Sequence, residues 1–134
     1  MKYIFIIIST LFLLSCSSDE EVSTTKKTEV ESLIEYKDGI YTEYYPGRKN
    51  IKIRGAQDVK KVRDGKWVLF SEEGEELSIT YFEKGLREGH TIIKRPNGTL
   101  NYVGEYKNDQ QIGVWKFYDE SGNLKEEKDY GQPK

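Results

Sequence analysis

Three glycines, Gly65, Gly89 and Gly113, stand 24 and 24 residues apart, and the residues around them keep the same phase. Gly65-Lys66-Trp67-Val68-Leu69-Phe70, Gly89-His90-Thr91-Ile92-Ile93-Lys94 and Gly113-Val114-Trp115-Lys116-Phe117-Tyr118 align without gaps. Nine residues after each leading glycine comes another, Gly74, Gly98 or Gly122. Seventeen residues after it comes an aromatic ring, Phe82, Tyr106 or Tyr130. A period of this length marks a chain that stacks one small unit on the next, because no single unit can bury its own apolar face. A degenerate copy opens at Gly39 with Tyr41, Tyr44, Tyr45 and Gly47, and its second half, Arg54 to Lys61, leaves the pattern.

Each copy reads as a β-hairpin. The first strand carries aromatic and β-branched residues (Trp67 to Phe70, Thr91 to Ile93, Trp115 to Tyr118), which suit a pleated surface. The turns Ser71-Glu72-Glu73-Gly74, Arg95-Pro96-Asn97-Gly98 and Asp119-Glu120-Ser121-Gly122 follow. Pro96 presets the φ of a type I turn and a closing glycine can take φ > 0, the chemistry of a hairpin loop ending in a G1 bulge. The return strands are Leu77 to Phe82, Leu100 to Val103 and Leu124 to Tyr130. Shorter turns at Lys84-Gly85 and Asn108-Asp109 lead on, and Asp109 tolerates the left-handed conformation better than most residues. Twelve glycines and ten tyrosines, with no sustained 3.6-residue apolar period, agree with an all-β chain.

The pattern Gly-x-Trp-x-x-Phe/Tyr, turn Gly, strand, aromatic, Lys-Gly resembles the bacterial variant of the MORN repeat over about residues 37–131. The copies opening at Gly65 and Gly113 match best; the copy between them has Thr91 for the tryptophan and Lys94 for the aromatic. The resemblance implies an elongated antiparallel β-meander of about four stacked hairpins, each touching mainly its neighbours. It says little about function.

Four in-phase rings, Trp67, Phe70, Trp115 and Tyr118, are the candidate ligand-binding residues. They are either the core, since a single-layer meander has little else to bury, or part of a groove for a peptide or glycan. Neighbours such as Leu69-Phe70 and Phe117-Tyr118 point to opposite faces of a strand, so the rings cannot all share one face. The sole histidine, His90, has only Glu88 beside it, and neither a zinc site nor a catalytic triad is expected. The acidic runs Asp19-Glu20-Glu21 and Glu72-Glu73-Gly74-Glu75-Glu76 lack the spacing of a calcium loop. Gly65-Lys66 lacks the glycines of a phosphate loop. Asn97-Gly98-Thr99, formally a glycosylation acceptor, reads as a turn. No cofactor, metal or catalytic residue is therefore expected.

The N-terminus carries a separate signal. Lys2 precedes an apolar run from Ile4 to Leu14, which ends in Leu13-Leu14-Ser15-Cys16, the only cysteine. Eleven residues of helix reach about 17 Å, well short of the roughly 30 Å hydrocarbon core, so a cleaved targeting segment is expected. The motif resembles a bacterial lipoprotein signal peptide, which implies that Cys16 receives a diacylglycerol and becomes the new N-terminus. Several acyl chains on one cysteine give stable membrane anchoring. Ser17 after the cysteine resembles outer-membrane sorting, and Asp19-Glu20-Glu21 resembles a surface-export signal. Residues 1–15 are thus assigned to the signal peptide, 16–35 to the lipidated cysteine and a flexible tether, and 36–134 to the repeat domain.

A net charge of −2 disfavours nucleic acid as partner. The expectation is a non-enzymatic module held at the cell envelope, on the outer membrane, by its lipid anchor and binding a protein or a glycan. An envelope-sited immunity or antitoxin-like role, a label some proteins with MORN-variant repeats carry, is the alternative.

Overall fold

The computed structural model describes residues 33–133, so the signal peptide, Cys16 and nearly all of the tether lie outside the described residues. Nine strands follow in order: β1 (Ile34–Lys37), β2 (Ile40–Tyr44), β3 (Ile51–Gln57), β4 (Arg63–Phe70), β5 (Glu76–Glu83), β6 (Leu86–Lys94), β7 (Leu100–Lys107), β8 (Gln110–Tyr118) and β9 (Leu124–Asp129). They form one antiparallel sheet in sequence order, so the fold is the expected open meander. Four hairpins, β2–β3, β4–β5, β6–β7 and β8–β9, are preceded by the short β1. The boundary drawn at 36 needs correcting: Ile34 and Glu35 pair with Glu43 and Thr42, inside the sheet.

The turns of the last three hairpins share one wiring. In the last three copies the first turn residue accepts from the turn glycine and donates to the residue four positions on. Gly74 N–H donates to Ser71 O (3.0 Å) and Ser71 N–H to Glu75 O (2.8 Å); Arg95 with Gly98 and Thr99, and Asp119 with Gly122 and Asn123, repeat the scheme. Gly74, Gly98 and Gly122 have φ of +92°, +82° and +85°. Next to each turn the ladder slips by one residue, between Leu69 and Phe70, Ile93 and Lys94, and Phe117 and Tyr118. This is the G1-bulged loop expected of those sequences. The connecting turns are tighter. Lys84 and Gly85 have φ of +50° and +89°, and Asn108 and Asp109 of +48° and +65°. Two successive positive φ values make the primed turn that fits the right-handed twist of paired strands.

Two details differ from expectation. The first strand of each later copy starts before the leading glycine, because Gly65, Gly89 and Gly113 (all φ > 0) lie within the strands. Ladder slips accompany them on the side facing the preceding hairpin. The degenerate first copy completes its hairpin through β3 although its sequence leaves the pattern, because Gly55 supplies what the fold needs there.

Candidate binding surface

A single-layer sheet has two faces, and here they differ in chemistry. Successive side chains along a strand alternate between them. One transverse line of paired residues runs Tyr36, Tyr41, Gly55, Trp67, Thr80, Thr91 and Gly104, with Trp115 and Lys128 paired on the same line beyond the slip in β7–β8. Large and small residues share this line. A Cβ on Gly55 would fall inside the Trp67 indole, and one on Gly104 inside the Trp115 indole. Each tryptophan thus lies flat over a glycine of the preceding strand, and its N–H reaches that side too. Trp67 Nε1 donates to Ala56 O at 2.8 Å, and Trp115 Nε1 is shared between Glu105 O and Ile112 O at 3.2 Å each.

Other rings pack around the two indoles. Tyr41 stacks on Trp67 with centroids 5.5 Å apart, and Phe82 meets it edge-on at 6.3 Å. Tyr106 and Tyr130 meet Trp115 edge-on at 4.9 and 6.1 Å, while Tyr102 and Phe117 lie 5.7 and 6.3 Å away. The third copy, lacking a tryptophan, lends Tyr106 to the tryptophan of the fourth. Its Thr91 is buried instead, bonded to Thr80 (Oγ1 to Oγ1, 2.9 Å) and donating to Ile79 O at 3.2 Å. A threonine pair fills the line where a tryptophan and glycine stand on either side.

Two arginines in phase with the repeat, Arg63 and Arg87, cover these rings. The Arg63 guanidinium lies 4.2 Å from the Trp67 ring and 5.2 Å from Phe82; that of Arg87 lies 4.0 Å from Tyr106. Arg87 Nε also donates to Asp109 Oδ1 at 2.7 Å. That bond holds the Asp109 carboxyl below its ordinary range and raises the arginine. Burial, and then a hydrogen bond to Glu43, push the Tyr41 phenol up to about 12. Sequence reasoning passed over Gly55, Gly104, Arg63 and Arg87. The 24-residue spacing of the two arginines was the available signal.

Of the four candidate rings, Trp67 and Trp115 are core, 3% and 1% exposed. They sit four strand steps apart, about 19 Å at 4.8 Å per step. Phe70 and Tyr118 are half-buried and belong to the opposite face by alternation. The four do not converge on one groove. Phe70 lends its carbonyl to the Tyr45 hydroxyl (2.8 Å), and Arg95 donates to Asp119 O (2.8 Å) and to Tyr118 O, so these positions tie one turn to the next.

The match to a known family falls on the last hairpin, with its Trp115 and Tyr130. Residues 111–131 match the MORN repeat variant. That hairpin therefore carries a MORN-variant repeat unit. No curated protein and no solved structure matches the chain. The in-phase glycines and turn wiring of that hairpin recur in β6–β7 and β4–β5. Among the described residues no three His, Cys, Asp or Glu side chains are grouped to hold a metal ion. No helix among them is long and apolar enough to cross a membrane.

Proposed function

We propose that this chain is a non-enzymatic binding module, anchored by an acylated Cys16 at the outer membrane, whose aromatic face docks a protein. The observation that supports this most is the two-layered build of that face. Buried tryptophans support half-buried Tyr41, Phe82, Tyr102, Phe117 and Tyr130, with Arg63 and Arg87 over the rings. Tyr, Phe and Arg on a rigid base are the residue types on which protein interfaces concentrate binding energy. Strand addition at the sheet edges is the weaker route. β9 reads Leu-Lys-Glu-Glu-Lys-Asp and is exposed throughout, a charged edge of the kind that discourages pairing, while β1 has four residues.

The test is affinity capture from cell-envelope extract with the wild-type chain and with Tyr102→Ala and Phe117→Ala. A protein retained by the wild type and lost by at least tenfold with both variants is expected, since truncating a ring at the energetic centre of an interface costs about 2 kcal/mol or more and about 1.4 kcal/mol is tenfold. Recovery of a glycan fraction alone, or of nothing above a scrambled-sequence control, would overturn the reading. For the anchor, Cys16→Ala is expected to move the protein from the membrane to the soluble fraction; retention in the membrane would refute acylation.

A further inference from the structure

The face opposite the tryptophans carries its own pattern. Its central transverse line pairs Arg54 with Val68, Val68 with Ile79, Ile79 with Ile92, Ile92 with Val103 and Val103 with Lys116. The apolar middle, Val68-Ile79-Ile92-Val103, reads the same in both directions. The next line on this face runs Lys66, Tyr81, His90 and Glu105, with Lys66 paired to Tyr81 and His90 to Glu105. Reversed, it places acid over base and ring over ring. Ile92, Val103, His90, Glu105, Val114 and Lys116 line one shallow depression here. Tyr81, Ile92 and Val114 on this face are 42%, 36% and 50% exposed, Ile79 and Val103 are half-buried, and Val68 is buried.

We infer that this aliphatic face docks a second copy of the chain, through a two-fold axis parallel to the strands and passing between β5 and β6. That axis lays β5 over the partner's β6 and β4 over its β7. Ile79 then meets Ile92, Val68 meets Val103, Tyr81 meets His90 and Lys66 meets Glu105, each contact occurring twice, as an isologous interface requires. A two-fold axis across the strands would instead set each strand over itself and leave Lys66 without an acid opposite. The charge order thus selects one orientation. Arg54 would oppose Lys116, whose amine is held by Glu127 at 3.1 Å. These outer strands diverge as two twisted sheets stack. Four central strands and these two side-chain rows give a footprint of roughly 260 Å² per copy, about a third of the roughly 800 Å² typical of a stable complex. The dimer is accordingly a weak, reversible one.

Position-specific cross-linking of the full chain in mild detergent tests this without reference to any other partner. Lys66 and Glu105 are three strand steps apart in one copy, about 14 Å, beyond disulfide reach. Mixing Lys66→Cys chains with Glu105→Cys chains under mild oxidation is expected to give a cross-linked dimer. Either variant alone is expected to give none beyond the wild-type background. Sedimentation gives the second measurement: Lys66→Glu or Glu105→Lys weakens self-association about tenfold, and the double reversal restores it. A link formed by one variant alone, no link in the mixture, or a double reversal no better than the singles overturns the proposal, and the stripe then belongs to a different occupant.

Discussion

Gly104 and Gly55 show how a missing side chain can be structural. Neither takes a positive φ; each is needed because an indole occupies the space above it. Gly104→Ala is expected to lift Trp115 from its seat and destabilise the protein by about 1–3 kcal/mol, the usual cost of overpacking, read as a lower midpoint in urea unfolding. Thr91→Ala should cost less at its own site, since it removes a hydroxyl bond and not a ring. Titration acts at single residues too. The Asp119 carboxylate accepts from the backbone of Asn123 and Ser121, at 2.8 and 2.9 Å, which holds it below its ordinary range. Asp109 is lowered by Arg87. A lowered carboxyl stabilises the folded state above its unfolded value, near 3.9, and loses that contribution as pH falls through the lower folded value. Melting temperature is therefore expected to drop below about pH 4, and less steeply in Asp119→Asn, which keeps the acceptor oxygen and loses the charge.

At the scale of the hairpin, loop chemistry and strand chemistry are separable. Gly98→Val and Gly122→Val place a β-branched residue at φ of +82° and +85°, a strained conformation costing on the order of 1–3 kcal/mol. Thermal unfolding should register the loss in both variants; unchanged melting in both would refute the G1-bulge assignment. These loops were legible because a turn is decided by a few adjacent residues: Pro96, the closing glycines, and Asp109 where Gly85 stands in the previous copy. Strand limits were less legible, since the first strands read from Trp67, Thr91 and Trp115 begin at Arg63, Leu86 and Gln110 and so take in the leading glycines. A bulge depends on which residue lies opposite, and the neighbouring strand can be more than ten residues away. The hairpin of the first copy was legible in its tyrosines but not in β3, where only Gly55 keeps the scheme.

Across the whole molecule, each strand pairs only with those next to it in sequence, so stability should grade from the two edges toward the middle. Amide hydrogen exchange is expected to be fastest in β1 and β9 and slowest in the central strands β4 to β6. Uniform protection would contradict a nearest-neighbour sheet. The 24-residue phase by itself determined the all-β class and the turn positions of the three in-phase hairpins, because each follows from local pattern and repetition, while the meander order was what the resemblance to MORN-variant repeats implied. The tertiary structure alone decided which of the four in-phase rings are core, burying Trp67 and Trp115 and leaving Phe70 and Tyr118 half-buried. It alone set two glycines beneath two indoles and composed the Val-Ile-Ile-Val stripe. Those features depend on cross-strand register and bulges, which move a residue from one face to the other by a single step, and register is a property of paired strands.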